Sequence, residues 1–145
     1  MHWRLWWGWG ARLIGEGDSM FKIIGLDHIV LNTQKAEKLI NFYCNILGCT
    51  IERKQPDLQL TQLRAGDSII DIIDNKSYIR QDSNNLEHFC LKINPFNYEE
   101  CSAYFSKNDI QIYRYGERFG AQGKVYSFYL RDPDGNEVEL CELKK

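Results

Sequence analysis

The sequence predicts an α+β fold built from two copies of one unit, strand, helix and then three strands. Three observations carry this expectation. The order of strand and helix signals in the first half recurs in the second, a polar linker separates the halves, and each half closes on an apolar strand that holds an acid at the same place. At 145 residues, 43% hydrophobic and 13% aromatic, the chain can bury one sizeable core.

Residues 1–19 stand apart. All four tryptophans fall in MHWRLWWGWG, ahead of Gly15, Gly17, Asp18, Ser19 and a second methionine, Met20. The stretch is too short to span a bilayer and has no clean apolar core with a small-residue cleavage site. It reads as a disordered extension or as an upstream start in place of Met20, with an interfacial aromatic anchor as the competing reading. The domain is therefore taken as 20–145.

Module one covers 21–74. From Phe21 the run FKIIGLDHIVLN has the β-branched content of a strand, with Leu26, His28 and Val30 on one face. Thr33 is the expected N-cap of a helix whose Ala36, Leu39, Ile40, Tyr43 and Leu47 recur at helical spacing, and Gly48 ends it. Strands are expected at 50–53, 58–63 and 68–73, the last two joined by a turn at Ala65-Gly66-Asp67. The polar stretch NKSYIRQDSNN, residues 75–85, is the linker.

Module two covers 86–143. LEHFCLKI is a strand, and Asn97 with Glu100 makes a capping-box pattern ahead of a helix with Tyr98, Cys101, Tyr104 and Phe105 inward. A strand at 110–115 precedes a glycine-bearing loop, 116–124. The runs Val125 to Leu130 and Val138 to Leu143 then flank Asp132-Pro133-Asp134-Gly135-Asn136, a hairpin signal.

Superposing the halves puts Asp27-His28-Ile29 over Glu87-His88-Phe89, and Ile70-Asp71-Ile72 over Val138-Glu139-Leu140. Each half thus offers a histidine on its first strand and a carboxylate on its last. A duplicated unit brings equivalent residues about a pseudo-twofold axis, so His28, His88, Asp71 and Glu139 are expected to meet. Two imidazoles and two carboxylates suit a divalent Fe, Mn, Co, Ni or Zn. His28, His88 and Glu139 form the safer triad, because Asp71 is one methylene shorter than Glu139.

Arg114, Arg118, Gln122 and Lys124 lie beside Gly116, Gly120 and Gly123, which places cations and an amide on a mobile segment at a cleft mouth. With Tyr129 they are the candidate substrate-binding residues, for an anionic or carbonyl-bearing small molecule. Tyr113, Tyr115 and Tyr126 are further candidates for the cleft lining. A net charge of −2 without a basic block gives no case for nucleic acid, and no segment argues for a membrane. The five cysteines form no C-x-x-C pair and read as reduced thiols of a cytoplasmic protein.

The pieces LDHIVLNT, NFYCNILGC, AGDSIIDIID, LEHFCLKI and YLRDPDGNEVEL, in that order, resemble the vicinal oxygen chelate superfamily of glyoxalases, bleomycin-binding proteins, fosfomycin-resistance enzymes and extradiol dioxygenases. The stretch ERFGAQGKVYSFYLRDPDGN resembles its glyoxalase-like, virulence-associated branch. The resemblance implies two βαβββ modules forming curved mixed sheets around a metal cleft, with His28, His88 and Glu139 as ligands and Asp71 where glyoxalase I has a glutamate. It implies a metal-dependent lyase or isomerase acting on a small carbonyl or thiol-adduct substrate, in which Glu139 or Asp71 is the base. The alternatives are an extradiol-type dioxygenase and a non-catalytic antibiotic- or toxin-binding resistance protein. It also implies a homodimer, with the cleft either complete in one subunit or completed by the partner's module.

Overall fold

Alternating apolar runs pair here into two separate four-stranded mixed sheets, each backed by a helix. The computed structural model describes residues 20, 22–81 and 85–144, so the tryptophan-rich head lies outside the described residues. Module one comprises β1 (His28–Thr33), α1 (Ala36–Asn41), β2 (Thr50–Gln55), β3 (Leu60–Ala65) and β4 (Ser68–Asp74). Module two comprises β5 (His88–Ile93), α2 (Tyr98–Lys107), β6 (Tyr113–Gly120), β7 (Gly123–Arg131) and β8 (Glu137–Glu142). The strand orders are β1-β4-β3-β2 and β5-β8-β7-β6, so the two modules have one topology. In each, the first strand lies parallel to the last, which needs a helical crossover, and the remaining pairs are antiparallel.

Local chemistry explains the boundaries. Asn97 Oδ1 accepts from the Glu100 N–H at 2.9 Å, the expected N-cap of α2. Thr33 instead bonds one turn earlier, its Oγ1 accepting from the Lys35 N–H at 2.8 Å, while the helix begins at Ala36. Beyond Asn41 the helix widens into a π-turn, Phe42–Ile46, and Gly48 leaves it at φ 91°. Gly135 takes φ 82° in the closing hairpin, where one side chain, Asp132, organises the turn. Its Oδ1 accepts from the N–H groups of Asp134 and Asn136, and its Oδ2 from the Asn136 amide.

Two sequence expectations are corrected. The first strand begins at His28 rather than Phe21, because its partner β4 begins only at Ser68 and His28 already pairs with Ile69. Lys22 to Leu26 run past the end of the sheet, leaving Ile23, Ile24 and Leu26 exposed. The glycine-bearing stretch 116–124 is not a mobile loop but a paired hairpin. Glu117, Arg118 and Phe119 face Tyr126, Val125 and Lys124, and only Ala121-Gln122 turn. Its glycines serve the strand itself, Gly116 ending a bulge and Gly123 taking φ 98° at the turn.

A single core joins the modules. Leu31, Leu39, Phe42, Tyr43, Leu63, Ile70 and Ile72 from the first pack with Phe105, Phe128, Leu130, Val138 and Leu140 from the second. The Tyr43 hydroxyl, set by the π-turn, donates across to Asp132 Oδ2 at 2.7 Å in the buried interior. Burial pushes the Asp132 carboxyl above the usual carboxylate range, against the pull of its hydrogen bonds from Asn136 and Tyr43. Strand alternation then dictates the rest: with Leu31, Ile70, Ile72, Val138 and Leu140 in the core, their sequence neighbours Asp71 and Glu139 leave from the opposite faces.

Candidate functional site

The site starts from two dipeptides. His28 and His88 open β1 and β5, the free edges of the two sheets, and each follows an acid. Asp27 Oδ2 sits 2.8 Å from His28 Nδ1, and Glu87 Oε1 sits 3.2 Å from His88 Nδ1. In each pair a carboxylate meets Nδ1, so Nε2 is the ring nitrogen left for a further partner. The bond to Asp27, with the negative charge of Asp71 nearby, raises the His28 pKa above the usual imidazole value despite some desolvation. The signal for Asp27 and Glu87 was present in the sequence as the repeated acid–histidine pair.

The carboxylates occupy interior strands. Glu139 on β8 is 9% exposed, and Asp71 on β4 is 5% exposed. Glu139 is fully engaged: Ser127 Oγ donates to Oε1 at 2.6 Å, and His88 Nε2 lies 3.3 Å from Oε2. Asp71 is not, since its Oδ1 is buried without a hydrogen-bond partner. The register places Asp71 beside Val30 and Gln62, and Glu139 beside Cys90 and Tyr129.

Among the described residues no three histidines, cysteines, aspartates or glutamates come together. His28, His88, Asp71 and Glu139 are thus not gathered into one cluster among the described residues of a single chain. The reason lies in the core. Because both modules turn their helix-side faces to it, the two polar faces point away from it, and no strand pairing joins the sheets. The chain presents two half-sites, His88 with Glu139 and His28 near Asp71. A cavity of about 740 Å³ at the seam of the modules is lined by Ile46, Leu91, Phe105 and Leu140 among others, and neither His88 nor Glu139 lines it.

Around His88 and Glu139 lies a polar and aromatic shell. The Tyr129 ring meets the His88 ring edge to face at 5.2 Å and stacks on Tyr113 at 6.2 Å. The guanidinium carbons of Arg114 and Arg118 stand 4.4 and 5.0 Å from the Tyr129 centroid. Arg118 Nη1 donates to Ser127 Oγ at 3.1 Å, so a chain of contacts runs from Arg118 through Ser127 to Glu139. Gln122 and Lys124 lie instead near the tip of the β6–β7 hairpin, where Gln122 Oε1 accepts from the Lys144 N–H and Lys124 pairs with Glu117 at 3.3 Å. Tyr115 and Tyr126 stack on each other at 5.6 Å, next to Tyr98 on α2. Ser127 went unnoticed in the sequence because only the register shows that it shares a face with Glu139.

The donor set of module two fits a cation. His88 Nε2 lies 3.3 Å from Glu139 Oε2, which brings together an imidazole nitrogen and a carboxylate oxygen of the kinds that divalent metals take. Imidazole and carboxylate ligands reach a metal at roughly 2.0–2.2 Å, so atoms this far apart can both bind one ion.

A protein of paired βαβββ modules, each with a histidine on its first strand and a buried acid on its last, is the class these features define. The sequence pattern of the glyoxalase/bleomycin resistance protein/dioxygenase superfamily matches residues 25–140, and the chain belongs to that superfamily. It is similar to the glyoxalase domain-containing protein RDO1 of Mycosarcoma maydis, 25% identical over 94% of this chain and 82% of that protein. Among solved structures it resembles the integron cassette protein VPC_CASS1 of V. Pseudocholerae, at TM-score 0.71 and 25% identity over 88% of this chain and 100% of the other. It also shares its fold with virulence protein STM3117 of Salmonella typhimurium, at TM-score 0.67 and 23% identity over 86% of this chain and 100% of the other.

Proposed function

We propose that the protein is a metal-dependent, glyoxalase-like enzyme for a small carbonyl or thiol-adduct substrate, with its site completed across a homodimer. His88 and Glu139 of one subunit and His28 of a second copy would hold a divalent Fe, Mn, Co, Ni or Zn ion, with Asp71 entering beside His28. The single observation that carries this reading is the His88–Glu139 pair, a nitrogen and an oxygen ligand 3.3 Å apart on the face opposite the core. Support comes from β1 and β5, both unpaired sheet edges, each with its histidine at its start.

When bound, such an ion acts as a Lewis acid for two adjacent substrate oxygens. The chain's own residues do the remaining work. Ser127 fixes Glu139 Oε1 and so keeps Oε2 turned toward His88. Asp71 is the better proton acceptor of the two acids, because its Oδ1 has no internal donor whereas both oxygens of Glu139 are engaged. Five free thiols suit a reducing, cytoplasmic setting, and no helix among the described residues is long and apolar enough to cross a membrane. Whether the chemistry is isomerisation, lysis or ring-opening dioxygenation depends on the substrate.

A second reading has its own observation. Among the described residues fewer than three donors converge in one chain, which favours a metal-free binder of a small toxic molecule, as in a resistance protein. Metal analysis of protein never exposed to chelator separates the two. The enzyme reading expects about one transition metal ion per chain, lost in His88→Ala, and metal-free wild-type protein would leave the binder.

A further inference from the structure

We propose that Arg114 and Arg131 form an oxyanion subsite beside the His88–Glu139 pair, so that the substrate is a small anion held through a carboxylate or phosphonate group. The inference rests on reading that pair as the reacting centre.

The argument begins with a break in the strand. Tyr113 pairs with Tyr129 and shares its polar face, so simple alternation would send Arg114 to the helix-covered side. Instead the register shifts between Tyr113 and Gly116, and Arg114 adopts φ 52°. That left-handed conformation is uncommon for a residue with a long side chain. Its result is to lay the guanidinium on the same face as Tyr113, 4.4 Å from the Tyr129 centroid and 5.6 Å from that of Tyr113. Bulges of this kind occur beside active sites, where they re-aim one side chain.

The bulge is held by its neighbour. Arg118 Nη1 donates to the Gly116 carbonyl at 3.2 Å and Nη2 to the Arg114 carbonyl at 2.5 Å, gripping both sides of the shift. Arg118 also donates to the Ser127 carbonyl and hydroxyl, so its donors serve the protein. It is a positioning residue rather than a substrate ligand.

Arg114 and Arg131 differ from it. Both reach Glu137, Arg114 in a direct ion pair and Arg131 at 3.8 Å. Their side chains remain 52% and 56% exposed while Glu137 is 10% exposed. One largely buried carboxylate thus lies against two half-exposed guanidiniums, of which Arg131 also donates from Nη1 to the Gly135 carbonyl at 3.0 Å. Counting Arg114, Arg118 and Arg131 against Glu137, Glu139 and Glu87, the charges of this site balance with His88 neutral, so an incoming anion meets no net negative charge. The planar fork of arginine matches a carboxylate or phosphonate. The Tyr129 ring, touched by Arg114 on one side and His88 on the other, sets the spacing between the anion and the reacting atoms.

The test uses full-length, EDTA-treated protein titrated calorimetrically with succinate and, separately, with methylphosphonate. The subsite expects saturable binding of at least one of them, weakened about tenfold or more, some 1.4 kcal/mol, in Arg114→Gln. Arg131→Gln reads the same subsite without touching the bulge and should also weaken binding, while Lys54→Gln on β2 should bind as wild type. Comparing the two anions tells a carboxylate site from a phosphonate site. Binding of neither, or binding unchanged in both arginine variants, overturns the proposal. Because no metal is present in the titration, loss of the metal reading leaves this result standing, and the reverse.

Discussion

Set side by side, the two modules have one topology and unequal chemistry. Both place an acid–histidine pair at the edge and a buried carboxylate on the adjoining interior strand. In module two the carboxylate is surrounded by help, because Ser127 opposes Cys141 and Arg131 opposes Glu137. The matching positions of module one are Leu60 opposite Ile73 and Arg64 opposite Ile69, and Asp71 is left with an orphaned oxygen. Duplication kept the four-residue skeleton in both halves, but in module two Ser127 donates to the carboxylate, whereas in module one Arg64 turns to Glu52 and Asp71 Oδ1 has no partner. On the proposed reading the difference is a division of labour: module two would hold the metal and the substrate, and module one would contribute His28 and a free base.

Swapping each acid for its amide breaks that comparison most sharply. Glu139→Gln should cost metal affinity by at least the roughly 100-fold that loss of an outer-shell partner can reach, read by metal titration. Asp71→Asn should keep most of the metal and lose turnover by about 100-fold or more, the range of a general base. Equal effects of the two on metal affinity would erase the division.

The joint between the modules offers a smaller effect. Tyr43→Phe leaves Asp132 Oδ2 short of a buried donor and should cost about 1–3 kcal/mol in denaturant unfolding. The pH dependence has a definite sign. The Asp132 carboxyl is raised in the folded state, so its stability contribution is full below the ordinary carboxylate value and lost as pH rises through the folded value. Removing the tyrosine donor raises that carboxyl further, so Tyr43→Phe should be more destabilising at neutral pH than in acid.

Much of this was legible in the sequence, for reasons that differ by residue. Asn97 with Glu100, the Asp132 to Asn136 turn and the repeated histidine and acid are local patterns, and local patterns survive folding. The start of β1 was misplaced because a strand needs a neighbour, and Lys22 to Leu26 have none. The hairpin through Gly116 was read as a loop because glycine marks bulges and tight turns as readily as loops. Alternation assigns His88 and Glu139 to one face, yet it cannot say which way a whole module turns. Whether the four residues meet in one chain or across two was therefore not legible in the sequence. The re-aimed Arg114 was invisible for a related reason, since only a register shift places it beside Tyr129.

The most direct test mixes two broken subunits. His28→Ala and His88→Ala chains, differently tagged and co-expressed, yield a heterodimer that can be isolated and analysed for metal. Each variant alone should be metal-free. In the heterodimer, the intact His28 of one chain meets the intact His88 and Glu139 of the other, and about half the wild-type metal should return. A heterodimer as empty as its parents, or a wild-type protein that holds its metal as a monomer, would contradict a site shared between subunits.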